Sequence, residues 1–391
     1  MFHAAEIGQC LPSEIAHYLL FGYQPENFPG RGLLEAVGAG LEFDDQDVLS
    51  LAHLCEVDCK KDVLFLLHGK KDITGEQDDI EQLYSNIKSF ESEGIRFRLI
   101  KTGRNDAILI MNGPVSAWIS DSDPMTAGRA MARISPVQGN PEPDRARLTA
   151  DALNNYLAYC HKVLSYHPIN QTRRKKGIPS ANFLATQRCG RRIVQEQFYE
   201  KWGLKAMLIA SGPMYAGLAL ELGLTLVRSL DSPDPEADLR GRIHLALTDT
   251  SHDFIHVHTK VPDEAAHMGD PIRKLAAIES LDKGLDELVD SVRRNEDLLL
   301  AITGDHSTPS ISSLIHSGET VPVIICGRQV RRDNVAIFDE ISASGGCLGL
   351  LQGKELMLTL LNYSDRSIMQ GHRMGKKETC YFPEEYEIFK L

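Results

Sequence analysis

The sequence predicts an α/β fold: a mainly parallel sheet flanked by helices, interrupted by an inserted αβ segment. Three observations carry that expectation. Residues 205–230 read strand, helix, strand (KAMLIAS, PMYAGLALELG, LTLVRSL), the order of a βαβ unit. Short apolar runs follow at 253–261 (DFIHVHTKV), 297–303 (DLLLAIT) and 321–327 (VPVIICG), and polar residues cluster just after them. The middle of the chain, roughly 60–177, changes to an acidic helix, alternating strands and a longer helix.

In chain order, Pro12 and Ser13 open a helix, SEIAHYLL. Ser13 reads either as a plain N-cap or as a nucleophile whose phosphoryl group would lie at the positive end of the helix dipole. Residues 78–94 read as an acidic helix, and IRFRLIK and DAILIMNG as strands joined by TGRN. After the Pro-rich stretch 135–149 comes a helix over 150–166, and RRKK at 173–176 reads as a solvated loop. PDEAAHMGD at 262–270 reads as a loop whose Asp270 caps a helix with Pro271 in its first turn. In that helix Ile272, Leu275, Ile278, Leu281, Leu285, Leu288 and Val292 recur at three and four residues, predicting one buried stripe.

The 391 residues are 42% hydrophobic and 25% charged, which excludes a disordered or fibrous chain. A net charge of −12, from 54 acidic and 42 basic residues, argues against wrapping nucleic acid but not against a small anionic substrate. The longest apolar stretch, near 206–220, is broken by Gly212 and Pro213 and is too short for a bilayer. The opening MFHAAEIGQC lacks the basic start and apolar run of a leader, and eight scattered cysteines predict reduced thiols; both point to a cytoplasmic protein.

Ligands of open α/β sheets sit at the carboxyl ends of strands. There the sequence offers Asp263 and His267, Asp305 and His306, and His316, two carboxylates and three imidazoles. This mixed N/O set suits Zn²⁺ or Mn²⁺ better than Ca²⁺. The Asp-x3-His spacing puts Asp263 and His267 on one side of a single helical turn.

HTKVPDEAAHMGDP, ITGDHSTP, IHSGETVPV and NFPGRGLLEAVGAGLEF closely resemble the archaeal-type, 2,3-bisphosphoglycerate-independent phosphoglycerate mutases of the alkaline phosphatase superfamily. The resemblance runs from about Gly8 to Gly371 and takes in LPSEIAHYLLFGYQP, DSDPMTAG, GIPSANFLATQRCG and SASGGCLGLLQGKELM. It implies an alkaline phosphatase-like core from 1–58 and 178–391, with an inserted substrate-binding, transferase-like domain at 59–177. It implies two divalent metal ions (Mn or Zn) and no 2,3-bisphosphoglycerate. One metal would be held by Asp263, His267 and His316, the other by Asp305, His306 and the Ser13 oxygen. The implied reaction moves phosphate from 3-phosphoglycerate onto Ser13 and back to O2 of glycerate, with Lys260 adding positive charge and the inserted domain closing to exclude water. Arg104, Asp123, Arg188 and Arg191 fall where the family binds substrate. The expected protein is a cytoplasmic glycolytic isomerase, a monomer or weak oligomer, without nucleic-acid or membrane partners.

The departures are as specific as the match. The family's first strand, ending in Asp-Gly with a ligand of the second metal, has no counterpart in these 391 residues. Its neighbours in the sheet are therefore expected to carry unpaired backbone groups. Pro12 and Glu14 flank Ser13 where the family has Gly and Asp. Gly103 precedes Arg104 where it has His, and Lys70 and Lys71 replace an Arg-rich stretch. The alternatives these departures raise are a phosphohydrolase or phosphonate-acting enzyme of the same superfamily, and an inactive metal-binding remnant.

Overall fold

The computed structural model describes residues 1–311, 314–369, 371 and 387–391. Two compact units form, one from Met1–Phe28 and Gln195–Leu391 and the other from Pro29–Val194. The first segment contributes β1 (Phe2–His3) and α1 (Ser13–Leu20). Pro12 precedes α1 with φ −77°, a value its ring fixes, and its carbonyl accepts the Ala16 N–H at 3.0 Å.

The second unit contains α2 (Arg31–Gly38), β2 (Val48–Lys60), β3 (Val63–His68), α3 (Gln77–Ser85), β4 (Ser89–Ser92), β5 (Ile95–Lys101), β6 (Ala107–Asn112), α4 (Pro143–Ser165), α5 (Pro168–Lys175) and β7 (Phe183–Gly190). Its sheet runs β3-β2-β6-β5-β4, with β7 also on β2, and every pairing is antiparallel. The boundaries expected at 58/59 and 177/178 fall inside this unit. The reason is β2, whose 13 residues pair with β6 and β7 in their first part and with β3 in their last.

Along β5 the alternation is strict: Ile95, Phe97 and Leu99 are buried, while Arg96 and Arg98 are exposed. Phe97 stacks on Tyr156 of α4 with ring centroids 5.0 Å apart, and Phe90 of β4 stacks on Tyr159 at 4.9 Å. That packing draws Ser89–Ser92, expected as helix, into a strand. Helix α4 starts at Pro143, earlier than expected, because proline costs nothing in a first turn whose N–H groups are unpaired anyway. The RRKK run is no loop but the end of α5. Its Arg173 is buried and donates to the Thr74 carbonyl at 2.6 Å and the Pro179 carbonyl at 2.8 Å.

Where α2 begins, two glycines let backbones touch. Gly30 has φ 91°, and a Cβ on Gly190 would meet the Pro29 carbonyl and the Gly30 Cα. Gly190→Ala is expected to destabilise the fold by about 1–3 kcal/mol, the range for forced overpacking, read as a lower urea midpoint with an unchanged slope.

The first unit resumes with α6 (Phe198–Trp202), β8 (Ala206–Ala210), α7 (Pro213–Glu221), β9 (Thr225–Arg228), α8 (Pro235–Thr248), β10 (Phe254–Val257), α9 (Val261–His267), α10 (Pro271–Gly284) and α11 (Asp286–Arg294). There follow β11 (Leu300–Thr303), β12 (Val323–Cys326), α12 (Glu340–Ser344), β13 (Leu351–Gln352) and α13 (Glu355–Tyr363). As expected, β8, α7 and β9 form a βαβ unit; the parallel sheet is β10-β8-β9. β11 and β12 pair antiparallel, and β1 pairs parallel with β13. Phe198 stacks on Phe254 at 5.3 Å, and Phe21 meets Phe198 edge-on at 5.8 Å, seating α1 against this sheet.

Two sequence expectations change here. The loop expected at 262–270 is largely α9, with Pro262 in its first turn. The stripe beyond Asp270 is not one buried face: it is split over α10 and α11, and Ile272, Leu275 and Ile278 are exposed. Asp270 does cap α10, accepting from the Ile272 and Arg273 N–H groups. The seven described cysteines are free thiols, and no described helix is long and apolar enough to cross a membrane.

Candidate metal centre

The loops after β10 and β11 and the start of α1 converge. Ser13 is the first residue of α1, and its side chain caps nothing. Instead Ser13 Oγ lies 2.8 Å from His306 Nε2. His306 Nε2 is also 3.2 Å from Asp305 Oδ2, and its Nδ1 is 3.1 Å from Thr308 Oγ1. The Thr308 hydroxyl donates to Asp263 Oδ1 at 2.7 Å. Asp263 and His267, one turn apart on α9, approach to 3.3 Å. His316 Nε2 is 3.6 Å from Asp263, its Nδ1 donates to the Leu11 carbonyl at 2.7 Å, and its ring stacks on His306 at 3.9 Å.

One donor atom each from Asp263, His306 and His316 lie within 4.8 Å of one another. This trio mixes the two ligand sets expected from the sequence, and His267 stands beside it through Asp263. A carboxylate with two imidazoles fits a divalent ion of the Zn²⁺ or Mn²⁺ kind.

Electrostatics favour anionic carboxylates here. Burial opposes ionisation of Asp305, but the His17 hydrogen bond and the nearby imidazoles outweigh it and hold its carboxyl well below the usual carboxylate range. Burial likewise opposes Asp263, and hydrogen bonds from His316 and Thr308 bring it below its ordinary value. For His306 burial dominates and lowers the pKa; for His316 the bond to Asp263 overcomes burial and raises it. Because the folded pKa of Asp305 is depressed, its contribution to stability is full above the unfolded value and drains away as pH falls below about 4. Asp305→Asn is therefore expected to flatten the loss of stability of the metal-free chain between about pH 4 and pH 2, read from urea midpoints.

Sequence reasoning missed four residues around this centre. His17, one turn after Ser13, places Nδ1 3.0 Å from the Ser13 carbonyl and 3.4 Å from Asp305 Oδ2. The Ser-x3-His spacing is the same signal that singled out Asp263 and His267. Thr308, three residues past Asp305, links the two carboxylate loops. His256 and His258 on and after β10 alternate toward His17, with rings 5.3 and 4.9 Å from it. Burial holds His256 down to about 3, and His256 Nε2 and His258 Nδ1 have no partner among the described residues.

The remaining expected site residues sit elsewhere. Lys260 pairs with Asp231 at 2.9 Å and Glu264 at 3.3 Å. The same Asp231 takes the buried Arg242 at 3.1 Å and the Ser211 hydroxyl. In the second unit, Asp123 lies 3.4 Å from His53 Nε2 and accepts from the Met125 N–H at 2.7 Å. Arg188, at φ 54°, donates its backbone N–H to Asp121 at 2.7 Å. Arg191 binds Glu142 at 3.1 Å, and Arg104 is exposed.

Comparison with known proteins identifies the family. A family model described as 2,3-bisphosphoglycerate-independent phosphoglycerate mutase matches residues 1–170. The chain is 40% identical over 388 residues to 2,3-bisphosphoglycerate-independent phosphoglycerate mutase 2 of Methanocaldococcus jannaschii, covering 97% of this chain and 86% of the relative. This chain belongs to the 2,3-bisphosphoglycerate-independent phosphoglycerate mutase family. A family member from Methanopyrus kandleri is 32% identical over 367 residues, covering 90% of this chain and 84% of its own. Among solved structures, a Pyrococcus horikoshii protein aligns with TM-score 0.72 at 25% identity, over 95% of this chain and 87% of that one. The cofactor-independent phosphoglycerate mutase of Thermoplasma acidophilum shares the fold, with TM-score 0.56 at 24% identity over 92% and 88%.

Proposed function

We propose that this phosphoglycerate mutase family member interconverts 3-phosphoglycerate and 2-phosphoglycerate through a phosphoserine at Ser13, without 2,3-bisphosphoglycerate. The observation that carries the reading is the position of Ser13 Oγ, 2.8 Å from His306 and next to the Asp263, His306 and His316 trio. Ser13 attacks phosphorus, the O3–P bond breaks, and glycerate leaves with a proton on O3. Glycerate O2 then attacks the phosphoserine, its proton departs, and Ser13 recovers its own. The first residue of α1 suits this role, since the free N–H groups and dipole of a helix start favour a phosphoryl dianion.

Asp263, His267 and His316 would hold one divalent ion, and Asp305, His306 and Ser13 a second. Bound there, the ions supply a lowered hydroxyl pKa and neutralise phosphoryl charge. His17 fixes the Asp305 carboxylate, and Thr308 orients both His306 and Asp263. Lys260 is assigned a supporting positive charge, tempered by its two carboxylate partners. Substrate contacts are assigned to Arg104, Asp123, Arg188 and Arg191, and the fold is read as an alkaline phosphatase-like core with a substrate-binding unit inserted in its sequence. A glycolytic, cytoplasmic setting belongs to the same reading and rests on that activity.

The test is chemical trapping. Acid quenching of the Mn²⁺-loaded chain with 3-phosphoglycerate, followed by mass spectrometry of the Ser13 peptide, is expected to show one added phosphoryl group on Ser13. Turnover with that peptide unmodified under every quench time contradicts the reading.

A further inference from the structure

Ser211 follows β8, Asp231 follows β9 and Lys260 follows β10, so all three leave the carboxyl ends of neighbouring strands in the parallel sheet β10-β8-β9. That end of an open α/β sheet is where ligands sit. Asp231 joins the three loops. Its Oδ1 accepts from the Ser211 hydroxyl and, at 3.1 Å, from Arg242 Nη2, while its Oδ2 lies 2.9 Å from Lys260 Nζ. Arg242 of α8 is buried and held on every side. Its Nε and Nη2 grip the two oxygens of Asp238 at 3.1 and 2.8 Å, and its Nη1 donates to the His258 carbonyl at 2.6 Å. A planar guanidinium committed to a bidentate carboxylate and a strand-end carbonyl has no freedom to swing. Asp238 balances the Arg242 charge one for one, which leaves the Asp231 carboxylate to Lys260.

Lys260 stands at the N-cap of α9, the helix that carries Asp263 and His267. Its ammonium has three N–H bonds at the end of a flexible four-carbon stem. Asp231 and Glu264 engage two of them, at 2.9 and 3.3 Å, and two such contacts set the direction of the third. The two partners are unequal. Glu264 lies one turn further along the same helix with its side chain more than half exposed, a kind of pair that constrains little. Asp231 comes from another strand and is clamped by a buried arginine, so it is the partner that decides where the ammonium points. A carboxylate beside a cation also weakens that cation's field, so what Asp231 contributes is aim and not charge.

We propose that Asp231 is a positioning residue: clamped by Arg242 and Ser211, it aims the third N–H of Lys260 at the transferring phosphoryl group. The inference rests on the assignment of Lys260 to that group under the function proposed above.

The test is a double-mutant cycle on the Mn²⁺-loaded chain, with kcat and KM for 3-phosphoglycerate and metal content measured for each variant. Lys260→Met keeps the stem and is expected to lower kcat by about 100-fold, as loss of a donor to a developing charge does. Asp231→Asn keeps the size and its contacts with Ser211 and Arg242 but turns an amide toward Lys260. It is expected to lower kcat by about tenfold with metal content unchanged, since misplacing a group near the chemistry acts on kcat. In the Lys260→Met background the same change is expected to alter kcat by less than about twofold, because a residue that acts through Lys260 has nothing left to aim. An equal loss in both backgrounds overturns the proposal, since Asp231 then acts on the fold or the reaction by another route. So does an Asp231→Asn variant with the kcat of the parent while Lys260→Met falls. If Lys260→Met itself keeps the kcat of the parent, the assignment of Lys260 fails and the proposal falls with it. Ser211→Ala removes one clamp from Asp231 and leaves every charge in place, so it decides the question even where Asp231→Asn does not fold. Its smaller loss of kcat is likewise expected to vanish without Lys260, and its persistence there overturns the proposal.

Discussion

Ser13→Ala is expected to lower kcat for 3-phosphoglycerate by at least about 10⁴-fold, the scale on which removal of an essential nucleophile acts. The hydroxyl is the only group lost, and in the proposed reaction it is the group that carries the phosphoryl. It sits at the first turn of α1, makes no cap, and contacts His306. Losing one such contact costs about 0.5–1.5 kcal/mol, so the fold should survive and the melting temperature should shift by only a few degrees. Steady-state kinetics beside a thermal melt separate the two effects. A variant that keeps activity within tenfold of the parent would show that the phosphoryl group does not pass through Ser13.

His306→Ala is the second large effect. His306 belongs to the converging trio, stands next to Ser13 and Asp305, and stacks on His316, so it touches both expected ligand sets. Losing even a supporting residue of a metal site costs 10–100-fold in affinity, so loss of a ligand is expected to cost at least about 100-fold. Elemental analysis after dialysis and reloading with Mn²⁺ should show a reduced metal content, and phosphoryl transfer should fall with it. Unchanged metal content together with unchanged transfer would remove His306 from the centre.

Much of this was legible in the sequence, for physical reasons that differ by region. The βαβ run at 205–230 announces itself because strand, helix and strand alternate within one short stretch. The five metal-ligand candidates were visible as carboxylates and imidazoles placed just after strands, and the structure gathers all five around His306 and Asp263. Grouping them was harder. The close trio draws on both sets, since stacking of His306 on His316 is a tertiary contact that spacing does not encode. The stripe from Ile272 to Val292 shows the converse: periodicity predicts which residues share a face, not what covers it. Ile272, Leu275 and Ile278 share that face and are exposed. The second compact unit begins at Pro29, thirty residues before the boundary the β-rich middle suggested, because β2 had no local signal of its three partners. RRKK read as surface on charge alone, yet Arg173 is buried by two carbonyls that lie far from it in sequence or just beyond α5.

The measurement that tests the account most directly is an assay of the purified, Mn²⁺-loaded chain on 3-phosphoglycerate with no 2,3-bisphosphoglycerate, following 2-phosphoglycerate and free phosphate together. The account predicts that 2-phosphoglycerate accumulates to equilibrium while phosphate release stays a small fraction of turnover. Phosphate as the main product, or no 2-phosphoglycerate from a chain that demonstrably binds the metal, would contradict it.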